Sequence, residues 1–106
     1  MGAMKAGIYS IDPEKALDIF DTIARYGIVG VDVENAASIF DNMLDSNAEK
    51  LHYARRILDS GKIDRAVLVL REDGGVFIIK VENVVDIRIT IRDALRLIKD
   101  FSLNQG

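Results

Sequence analysis

Few residues in this chain could do covalent or metal chemistry, and their spacing does not suit it. His52 is the only imidazole, and cysteine is absent. A nucleophile–base pair would need His52 as its base. His52 sits between Leu51 and Tyr53 in a helix-like stretch, where a surface or core-edge role is the ordinary one. Without cysteine there are no disulfides, no thiolate nucleophile and no cysteine-based zinc or iron site. The segment from Gly27 to Gly30 is too short for a phosphate-binding loop and has neither a third glycine nor a lysine. Carboxylates do occur in pairs at helical spacing, Asp18 with Asp21 and Asp41 with Asp45. They could hold a hard cation, but no carbonyl-rich loop pattern accompanies them, and a solvated acidic face is the simpler reading. The three tyrosines, Tyr9, Tyr26 and Tyr53, are scattered and do not alternate with basic residues as a single-strand RNA platform would. The expectation is a non-enzyme with no cofactor and no metal.

The elements that would position these residues follow from local pattern. The chain has 106 residues, 49% hydrophobic and 29% charged, enough for one domain with its own core. Residues 6–11 suit a short strand. Asp12, Pro13 and Glu14 are a helix start: a side-chain acceptor for an orphan amide, a residue preset for the first helical position, and an acid at the positive helix end. Ala16, Leu17, Phe20, Ile23 and Ala24 recur at helical spacing, and Gly27 offers a left-handed stop, so a helix is predicted over 13–26. Residues 28–33 are β-rich and predict a strand. Segment 34–44 is open between a helix, carried by Ala36, Ala37, Phe40, Met43 and Leu44, and a return strand turning at Glu34–Asn35. Ser46 and Glu49 form a capping box, with Leu51, Ala54, Ile57 and Leu58 as the stripe of a helix over 47–59 and Gly61 past its end.

The second half predicts an antiparallel meander over 66–71, 76–81 and 85–90. The apolar run Ala66–Leu70 suggests burial on both sheet faces. Asp73–Gly74 signals a tight turn with positive φ at both central residues, and Glu82–Asn83 a second turn. Asp86 and Arg88 leave the same side of the last strand and are expected to pair. Thr90 would cap a final helix over 91–101 with Ile91, Ala94, Leu95, Ile98 and Phe101 as its stripe. The fold class is α+β in a single domain over 1–106. Residues 1–4 are expected to be disordered or a cloning remnant, with Met4 as the natural start, and 102–106 a frayed tail.

In a three-strand meander the first strand lies on an outer edge. An exposed apolar edge invites unwanted pairing, so something must cover Ala66–Leu70. The candidates are strand 28–33 or the same strand of a second copy across a two-fold axis.

Charge is uneven. The net is −3 overall, but residues 1–50 hold four Lys/Arg against nine Asp/Glu, and residues 51–106 hold ten against eight. Either the first helices have acidic solvated faces, or two surfaces of opposite sign steer one partner. A general nucleic-acid binder would be basic overall, so nucleic acid is an unexpected partner. Arg55–Arg56 is the only basic doublet. No apolar run approaches the length of a membrane span, and residues 1–4 lack a charged-then-apolar build. A cytoplasmic location is expected.

The stretch RAVLVLREDGGVFIIKVENVVDIRITI, residues 65–91, resembles the meander of the Roadblock (dynein light chain type) domain family. That family runs helix, two-strand hairpin, helix, three-strand meander, helix. Helices 47–59 and 92–101 stand in the expected places, and helix 13–26 with strand 28–33 would be the first helix and strand. The chain departs from the family after Glu34–Asn35, where a helix-like segment follows. The resemblance implies a non-enzymatic homodimeric scaffold, able to regulate a small Ras-like GTPase. Its self-association surface would be the second helix and first meander strand, here Leu51, Ala54, Leu58, Val67 and Val69. A second resemblance runs to the small accessory subunit of the KEOPS tRNA-modifying complex, through EKLHYA (49–54) and SGKIDRA (60–66). It would make Arg55 and Arg56 partner or RNA contacts.

Overall fold

A computed structural model describes residues 6–35 and 46–94. The elements in chain order are β1 (Gly7–Ile11), α1 (Pro13–Tyr26), β2 (Gly30–Asn35), α2 (Asn47–Ser60), β3 (Ile63–Arg71), β4 (Gly74–Val81) and β5 (Val85–Ile91). The fold is α+β: one five-stranded antiparallel sheet in the order β1-β3-β4-β5-β2, with two helices.

The helices begin and end where local chemistry dictates. Asp12 Oδ1 accepts from the Glu14 amide at 3.1 Å, and Gly27 follows α1 with φ +88°. The Ser46 hydroxyl oxygen accepts from the Glu49 amide at 3.2 Å, and the hydroxyl donates to the Glu49 carboxylate at 3.3 Å. Gly61 is required for a different reason. A Cβ there would lie 2.5 Å from Val81 Cγ1, so only glycine lets the chain leave α2 directly over the end of β4.

The core lies on one face of the sheet. Alternation along each strand sends Ala66, Leu68, Leu70, Phe77, Ile79, Val81, Ile87, Ile89, Ile91, Val31 and Val33 to that face, and all are buried. α1 contributes Ala16, Ile19, Phe20 and Ile23, and α2 contributes Ala54 and Leu58, to the same cluster. The large members stabilise the fold by roughly 1.5–3 kcal/mol each. Arg55 on α2 holds Asp21 on α1, so the two helices lie side by side on this face.

Several expectations are corrected. The strand predicted over 28–33 runs Gly30–Asn35 and pairs with β5, Gly30 opposite Thr90 through Asn35 opposite Val85. It therefore does not cover the Ala66–Leu70 edge. That edge is closed within the chain by β1, from Gly7 opposite Leu70 to Ile11 opposite Ala66. Neither predicted partner occupies it. Glu34 and Asn35 are strand residues, so the chain does not turn there; the rest of the 34–44 question lies outside the described residues.

The apolar run of β3 is buried on one side only: Ala66, Leu68 and Leu70 face the core, while Val67 and Val69 are half-buried on the other face. The β3–β4 turn has Glu72 and Asp73 between paired Arg71 and Gly74; of the two residues expected at positive φ, Gly74 takes it (+148°) and Asp73 does not. The mirror-image geometry falls instead at Glu82 and Asn83, with φ of +51° and +54° and the Val84 amide bonded to the Val81 carbonyl. Thr90 and Ile91 belong to β5, so the predicted final helix does not start at 91; Ala94 is its first described residue, and 95–101 lie outside those described. So do residues 1–4 and 102–106.

Candidate interaction face

The second face of the sheet carries no described element. Cross-strand register orders its side chains into rows. One row runs Ile8, Val69, Val76, Thr90 and Gly30. The next runs Ser10, Val67, Ile78, Arg88 and Asp32. The third runs Arg65, Lys80, Asp86 and Glu34. The face is thus divided, with an aliphatic patch on β1, β3 and β4 and a charged half on β5 and β2. Ile8 is 74% exposed, and Val67, Val69, Val76 and Ile78 are half-buried.

The charged half is largely neutralised across strands. Lys80 Nζ lies 3.0 Å from Asp86 Oδ1, and Arg88 Nη1 lies 3.3 Å from Glu34 Oε1. Lys50 of α2 reaches Asp32 at 3.7 Å. The expected Asp86–Arg88 pair does not form. Residues two apart on one strand stand about 7 Å apart, while directly opposite residues are closer, so each charge finds its partner on the next strand. Arg65 and Arg71 are exposed at the two ends of the β3 row and make no ion pair among the described residues.

Of the predicted self-association residues, Ala54 and Leu58 are consumed by the chain's own core, and Leu51 packs against it. Ala54 and Leu58 cannot form a shared surface while α2 stays docked, and Leu51 is only partly buried. Val67 and Val69 lie half-buried on the face that no described element covers, and they reach it through their side chains and not through the edge of β3. The structure adds Ile8, Val76 and Ile78 to them.

The doublet Arg55–Arg56 is split by the helix. Arg55 grips Asp21 with a two-pronged contact, Nε to Oδ1 at 2.9 Å and Nη2 to Oδ2 at 3.4 Å, and also bonds Asp59. The hydrogen bond to Asp59, with the charges of both acids, pushes the Arg55 guanidinium above its already high range. It is a helix–helix clamp. Arg56 is exposed.

His52 is exposed, with no described nucleophile bonded to it. Asp21 is held by Arg55, so the Asp18–Asp21 pair is not a free dyad; Asp41 and Asp45 lie outside the described residues. Among the described residues no cluster of three or more His, Asp and Glu could hold a metal ion, and no helix is long and apolar enough to cross a membrane. A cleft of about 460 Å³ opens between the end of α1 and the end of β5, lined by Ile23, Tyr26, Val29, Ile91, Arg92 and Asp93. The polar side chains in its lining, Tyr26, Arg92 and Asp93, are all exposed.

No family model matches this chain, and no curated protein or solved structure matches it either.

Proposed function

We propose that this protein is a non-enzymatic interaction module that works as a homodimer, scaffolding or regulating a small Ras-like GTPase as its likeness to Roadblock domains implies. The observation that carries the reading is the outer edge of β1. Its residues, Gly7–Ile11, include no charge and no proline. Folded proteins blunt exposed edges with such residues. The opposite edge strand is blunted: β2 carries Asp32 and Glu34, with side chains 73% and 51% exposed. The contrast singles out β1 as the edge suited to meet another strand. Two copies pairing β1 to β1 in antiparallel fashion would extend the sheet across a two-fold axis, with Ile8 of each beside the seam. The seam thus moves from β3, as the family likeness implied, to β1. The tRNA-complex reading has no observation in its favour, since Arg55 is committed to Asp21 and Asp59.

Size-exclusion chromatography with light scattering tests this. The expected mass is twice the 11.8 kDa chain. Ser10→Lys, which adds a charge at an exposed position on that edge, should return the protein to a single-chain mass with its circular dichroism unchanged. A wild-type protein that stays single at high micromolar concentration would overturn the proposal.

A further inference from the structure

We infer that the aliphatic patch on the sheet face that no described element covers is a seat for an acidic amphipathic helix supplied by a protein partner. The inference rests on the interaction-module reading and names the chemistry of the partner.

Size is the first argument. With strands about 4.8 Å apart and about 3.4 Å per residue, β1, β3 and β4 between Arg65 and Arg71 present a strip about 14 Å wide and 20 Å long. A helix is about 10–12 Å across and rises 1.5 Å per residue, so about 13 residues would cover it. The same strip is roughly 280 Å², well below the ~800 Å² per partner of a stable interface between folded domains. The patch therefore suits one helix better than a second copy laid face to face.

Charge is the second argument. Every described acid on this face is within ion-pair distance of a cation: Asp86 of Lys80, Glu34 of Arg88, Asp32 of Lys50. Arg65 and Arg71 are left over, bracketing Val67 and Val69 on one strand. Arg65 stands directly opposite Lys80, whose own charge is taken up by Asp86, so Arg65 has no acid across from it. A helix with apolar residues at i, i+3, i+4 and i+7 and carboxylates towards its ends would answer both the aliphatic strip and its arginine ends. A nucleic acid would meet the arginines but find no ring to stack on among Val67, Val69, Val76 and Ile78.

The test uses a synthetic acidic amphipathic peptide of about 14 residues, with leucines at those positions and glutamates elsewhere, and its glutamate-to-lysine counterpart. Binding is followed by amide chemical shifts on the full chain. The acidic peptide should bind at least tenfold more tightly than the basic one, weaken with added salt, and shift residues of β3 and β4. Arg65→Glu and Arg71→Glu, measured singly because Glu72 and Asp73 follow Arg71, should each reduce affinity severalfold, and Val69→Glu should abolish binding.

Equal affinity for the two peptides, shifts confined to the helices, or binding of a single-stranded oligonucleotide in place of the acidic peptide would overturn the inference. The salt dependence needs no variant, so a poorly folded mutant does not remove the test. Light scattering reads dimer formation separately, so either proposal can fail alone.

Discussion

Leu68 and Val69 are neighbours on β3 whose side chains point to opposite faces, and truncating each to alanine measures whether the sheet is covered on one side. Leu68 is 0% exposed and belongs to the core cluster on the face that α1 packs against. Leu68→Ala removes about three buried carbons at ~0.8 kcal/mol each, about 2.4 kcal/mol of transfer free energy. A residual cavity adds about 24 cal/mol per Å³, so an unfilled 50 Å³ contributes roughly 1.2 kcal/mol more. The expected loss is ~3–4 kcal/mol, which lowers the midpoint of a domain this size by roughly 15 °C. Val69→Ala removes two half-buried methyl groups from the face that no described element covers, so its loss should be ~0.8 kcal/mol. Urea unfolding followed by circular dichroism, repeated at several protein concentrations to separate dimer dissociation from folding, reads both values. A Leu68→Ala loss below ~1 kcal/mol would refute the buried strand. A Val69→Ala loss as large as that of Leu68→Ala would refute that value, since only a covering layer could make that methyl pair so costly.

Gly61→Ala should cost ~1–3 kcal/mol, because its Cβ would meet Val81 Cγ1 at 2.5 Å and the Ile57 carbonyl oxygen at 3.0 Å. Gly30→Ala is the control: nothing lies within 4 Å of its Cβ, and thermal melts should place it close to the wild type. Arg55→Ala and Asp21→Ala should each destabilise modestly, and a double-mutant cycle should give a coupling of ~0.5–1 kcal/mol that shrinks in salt, because both side chains are more than a third exposed (35% and 41%). A cycle with no coupling would remove the clamp assigned to Arg55.

What could be read in advance divides by distance along the chain. The bounds of α1 rest on Asp12, Pro13 and Gly27, all local signals, and the expected span of 13–26 is the observed one. The stripe of α1 was legible except for Ile19, buried at its centre. The three meander strands were legible because short turns join them. The partner of β3 was not, because Gly7 and Leu70 meet across most of the chain and nothing in GIYSI names its ladder partner. The mirror-image turn sits at Glu82–Asn83, where no glycine marks it in the sequence. Gly74 needs glycine twice over, because its φ is +148° and because the Ile91 carbonyl oxygen would lie 2.6 Å from a Cβ there.

On the interaction face, Val67 and Val69 were legible as unusual because apolar residues fill both parities of β3. The same signal in β4, where Val76 and Ile78 interleave with Phe77 and Ile79, points to the rest of the patch. Only the register shows that these residues and Ile8 form one surface. Leu51, Ala54 and Leu58 share a helix stripe, and a stripe alone does not say whether it meets the chain's own sheet or another molecule.

The two outer strands, β1 and β2, both come from the first third of the sequence, and among the described residues each pairs only with a strand from the last half. They are never bonded to each other. While the chain is being synthesised, the amino-terminal stretch therefore waits with neither ladder available, and the central hairpins, once made, have ready-made flanks to recruit. A polypeptide stopped before Ile63 holds both bookends and none of the shelf.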